Sequence, residues 1–180
     1  MKTWIALFRG INVGGTGILP MKELATLLEK LGLENVKTYI QSGNVVFRSR
    51  KGSAPELCGK IRAAIKKSRG FEPRLLLLSL RALEAAIASN PFPDAESEPK
   101  TLHLSFLTST PTRPDLERLE RVKSENERFA LVGDIFYLHA PDGIGRSRLA
   151  VAIEKALGVP CTARNWRTVC KIMALAKTMN

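Results

Sequence analysis

The first eighty residues alternate between stretches with apolar side chains every second position and stretches with apolar side chains at helical spacing. Thr3–Phe8 reads as an apolar strand. Pro20 opens a helix with Met21, Leu24, Leu27, Leu28 and Leu31 on one face, and Gly32 stops it. Val36–Gln41 and Asn44–Arg48 read as strands joined through Ser42-Gly43. A second helix follows Pro55 with Leu57, Ile61 and Ile65 in phase, and Glu72–Ser79 forms a strand around four consecutive leucines. The order βαββαβ predicts a ferredoxin-like plait.

Ser79 is placed to cap a short helix carrying Leu80, Leu83 and Ile87. Three prolines and three acidic residues between Asn90 and Pro99 then break the periodicity. A partial repeat follows. Leu102, Leu104 and Phe106 alternate, Pro114 opens a helix with Leu116, Leu119 and Val122, and Gly133-Asp134 joins strands Phe129–Val132 and Ile135–Leu138. Another helix holds Leu149, Ala152, Ile153 and Ala156 and ends at Gly158. No fourth strand stands out. Either Pro160–Arg164 supplies a short one, or a last helix with Val169, Ile172, Met173 and Ala176 replaces it. The expected fold class is α+β: two ferredoxin-like (βαββαβ-type) subdomains, the second irregular, with an extra C-terminal helix. The expected boundaries are 1–89 for the first subdomain, 90–100 for a linker and 101–180 for the second.

Strand Thr3–Phe8 also predicts burial on both sides. With Ile5 and Leu7 turned towards the helices, Trp4, Ala6 and Phe8 fall on the opposite face, where an open sheet would be polar. That face needs a cover, from the second half of the chain, a partner protomer or stacked bases.

Composition narrows the class. At 180 residues and 44% hydrophobic content the chain suits a globular protein, and no apolar run spans a bilayer. The apolar start is too short for a signal peptide and has no small-residue cleavage site, so a cytoplasmic location is expected. Three cysteines without close pairing suggest neither a disulfide framework nor a zinc site. The net charge of +11 is unevenly spread: +7 over residues 48–88, −4 over 89–142 and +6 over 143–180. Such segregation favours an anionic partner.

Four segments are candidates for chemistry. The first is Arg9 to Lys22, in which four glycines lead from a strand into a helix. Glycine backbones can aim N–H groups at one point, and a helix start adds free donors. Arg9, Asn12, Gly14, Gly15 and Lys22 are its candidate residues, although the spacing fits neither a dinucleotide fingerprint nor a P-loop. The second is the hairpin tip with Ser42 and Asn44, turn formers first and ligand contacts second. The third is Gly143 to Arg148, where Arg146 and Ser147 enter a helix and the cations oppose its dipole. In the fourth, Arg164, Asn165 and Trp166, the asparagine suits an N-cap and the tryptophan suits either a core or a stacked base. His103 and His139 fall at outward positions of neighbouring strands without a metal or catalytic partner. No nucleophile, general base or metal cluster stands out, and no cofactor, metal or membrane is expected.

Arg-Gly-Ile-Asn-Val-Gly-Gly (9–15), Pro-Met-x-x-Leu (20–24), Thr-Tyr-Ile-Gln-Ser-Gly-Asn-Val-Val-Phe (38–47), Asn-Pro-Phe (90–92), Gly-Ile-Gly-Arg-Ser (143–147) and Thr-x-Arg-Asn-Trp-x-Thr (162–168) occur in order along nearly the whole chain. Together they resemble the bacterial family known as domain of unknown function 1697. The resemblance implies two ferredoxin-like α/β subdomains and brings no established activity. Members often carry Lys-Asn after the double glycine, where this chain has Thr16-Gly17, so charge at the loop is left to Arg9, Lys22 and backbone donors.

The leading expectation is a non-catalytic binding protein for a phosphate-bearing ligand, nucleotide or nucleic acid, in a cleft between the subdomains. One alternative is an enzyme acting on a phosphorylated metabolite through a hydroxyl such as Thr38, Tyr39, Ser42 or Thr168. The other is a partner-binding module using the basic helix face with Lys60, Lys66 and Lys67.

Overall fold

The computed structural model describes residues 1–15 and 17–179. Thr16, where the chain departs from the family pattern, and the terminal Asn180 lie outside the described residues. Among the described residues there are two four-stranded antiparallel sheets and six α-helices. The chain divides into two compact units. One holds residues 1–85 together with 171–179, the other 86–170.

In the first unit, β1 (Lys2–Arg9) is followed by α1 (Met21–Lys30), β2 (Glu34–Tyr39), β3 (Asn44–Ser49), α2 (Ala54–Arg69) and β4 (Arg74–Ser79). The sheet order is β2-β3-β1-β4. Pro20 presets the entry to α1, and Gly32, at φ 79°, ends it by turning its own amide onto Glu29 O and that of Leu33 onto Leu28 O. At the start of α2, the Glu56 carboxylate accepts the Ser53 amide at 2.7 Å. Ser79 accepts the Ala82 amide and caps α3 (Leu80–Ala88), as its position in the sequence suggests.

The parity of β1 is the reverse of the expectation. Trp4, Ala6 and Phe8 pack with Leu24, Leu28, Leu57 and Ile61 of α1 and α2. Ile5 and Leu7, 0% and 1% exposed, occupy the other face. A strand buried on both sides has no polar alternation to mark which side meets the helices. The chain's own end reaches the edge of that other face. Lys37 lies opposite Val46, which lies opposite Ile5, so all three share this face, and Lys37 Nζ donates to Thr178 Oγ1 at 3.0 Å. Ile172, Met173, Ala176 and Met179 are buried and belong to the same unit.

The second unit repeats the order with β5 (Leu102–Leu107), α4 (Leu116–Val122), β6 (Arg128–Val132), β7 (Ile135–His139), α5 (Arg148–Leu157) and β8 (Cys161–Asn165), in sheet order β6-β7-β5-β8. The short fourth strand is therefore present, and α6 (Trp166–Lys177) follows it rather than replacing it. Phe136 and Leu138 meet Leu119, Leu149 and Ile153 of α4 and α5. On the other face the Tyr137 hydroxyl donates to Ala86 O at 2.6 Å, satisfying a carbonyl in the last turn of α3.

Residues 90–100 fold onto this unit. Pro93–Ser97 make a turn of 3-10 helix with Ala95 buried, and Asp94 takes both terminal nitrogens of Arg128, at 3.3 and 2.6 Å. The same guanidinium lies over the Phe92 ring, 4.8 Å from its centre. Proline and acid content here mark a braced turn.

Candidate functional site

Six sequence candidates, Arg9, Asn12, Gly14, Gly15, Ser42 and Asn44, gather at one end of the first unit's sheet. β1 ends at Arg9, and β3 begins beside it at Asn44, opposite Leu7. The Phe8 amide donates to Gly43 O at 2.8 Å, so the β2–β3 turn lies against the start of the glycine loop. Gly43 is buried, and a Cβ there would sit 2.6 Å from Phe8 Cβ and 2.7 Å from Ile11 Cδ1. The close approach requires glycine.

Asn12 holds the loop in shape. At φ 55°, its Nδ2 donates to Leu19 O (2.8 Å) and Gln41 O (2.9 Å), and its Oδ1 accepts the Leu19 amide (2.8 Å). Its own amide reaches Gly17 O at 3.0 Å. Every polar atom of this side chain has an internal role. Asn44 is likewise buried, bonding Tyr39 O and Ser42 Oγ within the hairpin tip. Gly14 and Gly15 differ. Both are exposed at positive φ (59° and 76°), and among the described residues nothing accepts a hydrogen bond from their amides.

The same sheet end holds a cation that the sequence reading did not single out. Arg74, the first residue of β4, lies directly opposite Arg9. Residues directly opposite on paired strands put their side chains on one face, so this sheet end concentrates positive charge. The antiparallel register of β4 on β1 makes this pair, and the register becomes readable only once the strand order is known.

Lys22 lies elsewhere, in a groove of about 320 Å³ between α1 and α2 with Lys30 and Arg69, whose guanidinium pairs with Glu23. On the basic face of α2, Lys66 and Arg62 both pair with Glu72, at 3.6 and 2.5 Å.

In the second unit the candidates do mostly structural work. Ser147 is buried and accepts the Ala150 amide as the cap of α5. Asn165 accepts the Thr168 amide at the start of α6, and Trp166 is buried. Arg146 lines a small pocket with Glu127 and Asp142, surroundings that disfavour a bound anion. Arg164 shares a sheet face with Leu104 and Tyr137, and its half-buried guanidinium, desolvated there, has a pKa pulled down to about 10.

The histidines do not share a face. His103 pairs with Leu138 and His139 with Leu102, an offset of one residue that sends the rings to opposite sides. His103 is buried, its Nδ1 3.2 Å from Thr101 O, and desolvation lowers its pKa from 6.5. Desolvation and then Arg128 lower that of His139. Burial raises the Cys58 and Cys170 pKa values, which keeps both thiols protonated. Thr168 is buried, and among the described residues no three His, Cys, Asp or Glu side chains gather as a metal-ligand set.

A two-unit α+β chain with a glycine loop and paired arginines at one sheet end is the class of protein these observations define. The chain belongs to the family described as protein of unknown function DUF1697, whose model matches residues 1–137. It is similar to a solved structure, that of the conserved bacterial protein SP0830 from Streptococcus pneumoniae. The two share 26% identity and a TM-score of 0.73, over 97% of this chain and 98% of that one. No curated protein matches. No helix among the described residues is long and apolar enough to cross a membrane.

Proposed function

We propose that this chain is a binding protein for a phosphate-bearing ligand, held at the glycine-loop end of the first unit, and that each unit is a ferredoxin-like plait. The plait reading rests on the βαββαβ order and on a strand order in which the first strand lies between the third and the fourth, in both units. One observation carries the binding reading: Arg9 faces Arg74 where β1 runs into a loop whose Gly14 and Gly15 amides are exposed and unbonded among the described residues. Backbone donors at glycine and paired guanidinium groups are the two chemistries that hold phosphate oxygens. Both faces of the central strand are buried, which disfavours nucleic acid stacked on this sheet and favours contact through phosphate. Arg146, Ser147, Arg164, Asn165 and Trp166 are not part of the proposed site, since capping, burial or nearby carboxylates occupy most of them.

The test is titration of a labelled nucleotide panel, RNA and DNA at two salt concentrations, with the wild-type chain and with Arg9→Ala and Arg74→Ala. Binding that weakens at high salt and falls about tenfold in each variant is expected, the size of one charge-assisted contact. Flat curves for every ligand, or variants that bind like wild type, would overturn the reading.

A further inference from the structure

The glycine-loop end of the first unit also carries an apolar patch that phosphate contacts alone leave unused. Among the described residues, Val13, Ile18 and Ile40 are three of the four most exposed large apolar residues, at 61%, 62% and 49% exposure. The Asn12 side chain brings them to one place. It bonds the Leu19 amide and carbonyl and the Gln41 carbonyl. Val13 follows Asn12, Ile18 precedes Leu19 and Ile40 precedes Gln41, so each is one residue from a position that these bonds tie together.

Ile40 sits at φ 49°, in the left-handed region that glycine and asparagine enter readily and a β-branched residue rarely does. It is also half exposed, so packing does not account for isoleucine at this position either. A strained backbone that keeps an apolar side chain in water points to a ligand that covers it. The phosphate donors lie beside the patch. Val13 directly precedes Gly14, and the bond from the Phe8 amide to Gly43 O brings the end of β1, with Arg9, against the turn that holds Ile40.

We infer that the ligand of this end is a nucleoside polyphosphate, its phosphates on Gly14, Gly15, Arg9 and Arg74 and its base against Val13, Ile18 and Ile40. The inference rests on the phosphate reading and adds the apolar part of the ligand. Inorganic phosphate or a sugar phosphate leaves the three side chains in water. β-Branched side chains are stiff at χ1, and fixed apolar contacts beside a few polar groups suit one flat, rigid body. A membrane surface is met instead by Trp, Phe or Leu amid several Lys and Arg, and the three patch residues include none of these.

Calorimetric titration and methyl chemical shifts of the ¹³C-labelled chain test it, with ADP, GDP, CDP and UDP set against inorganic pyrophosphate and phosphatidylglycerol vesicles. Covering about 60 Å² of apolar surface is worth about tenfold in affinity, so the best nucleotide is expected to bind at least about tenfold tighter than pyrophosphate. The Ile18 and Ile40 methyl signals are expected to move with that nucleotide and to stay in place with pyrophosphate. Ile18→Ser/Ile40→Asn, both positions being exposed and asparagine suiting the left-handed backbone, is expected to keep the fold and lose the nucleotide's advantage. Pyrophosphate that binds as tightly as every nucleotide overturns the inference and leaves the phosphate reading standing. Unmoved methyl signals, a variant that keeps the full advantage, or vesicles that move these methyls while no nucleotide outbinds pyrophosphate do the same. A chain that binds neither pyrophosphate nor any nucleotide overturns both.

Discussion

Two of the glycines near the loop are there for space. A Cβ at Gly17 would collide with the Gly10 carbonyl oxygen, and one at Gly43 with Phe8 and Ile11, both at positive φ. Gly14 has nothing within 4 Å. Gly17→Ala and Gly43→Ala are therefore expected to cost about 1–3 kcal/mol from overpacking, on top of about 1–2 kcal/mol for the left-handed backbone, whereas Gly14→Ala carries only the backbone cost. Urea denaturation checks this, and equal losses at all three positions would contradict it. The sequence showed that glycines cluster here, but which of them face solvent depends on contacts with residues thirty positions away. His103 has a consequence for stability. Its folded pKa lies below the unfolded value, so the unfolded chain binds the proton more readily, and the stabilisation present above about pH 6.5 is lost as pH falls. His103→Asn is expected to flatten the decline in thermal midpoint between pH 7 and 5, and an unchanged slope would show that His103 does not titrate in this window.

At the level of elements, the strands and helices of the first unit were legible because apolar spacing, Pro20, Gly32 and Pro55 all agree. The facing of β1 was not, since Trp4 through Phe8 are buried without interruption and offer no polar marker. β8 was harder to read than the other strands for a different reason: Cys161–Asn165 has little apolar alternation and is recruited by pairing with β5. The C-terminal residues illustrate the same limit, because nothing local in 171–179 shows that they return to the first unit. Removing residues 171–180 is expected to uncover the Ile5 and Leu7 face, lower the denaturation midpoint and raise dye binding to apolar surface. A truncated chain with unchanged midpoint and dye binding would show that this segment is not the cover.

For the chain as a whole, charge segregation pointed to an anion but not to a place. The +7 stretch contains Arg74 of the proposed phosphate site, while Arg50 within it pairs with Glu34 and Arg62 and Lys66 pair with Glu72. The +6 stretch contains Arg164, which lies half-buried on a sheet face. The candidate residues were legible as types suited to turns and anions. Pairing of Arg9 with Arg74 and the internal duties of Asn12, Asn44, Ser147 and Asn165 arise from tertiary contacts, which no single segment encodes. The central claim is that the Gly14 and Gly15 amides, backed by Arg9 and Arg74, receive phosphate oxygens. Amide chemical shifts followed during titration with inorganic pyrophosphate test it most directly. Saturable shifts of Gly14 and Gly15 that weaken with added salt and disappear in Arg9→Ala/Arg74→Ala are predicted, and amides that stay unmoved while pyrophosphate binds elsewhere, or nowhere, would contradict it.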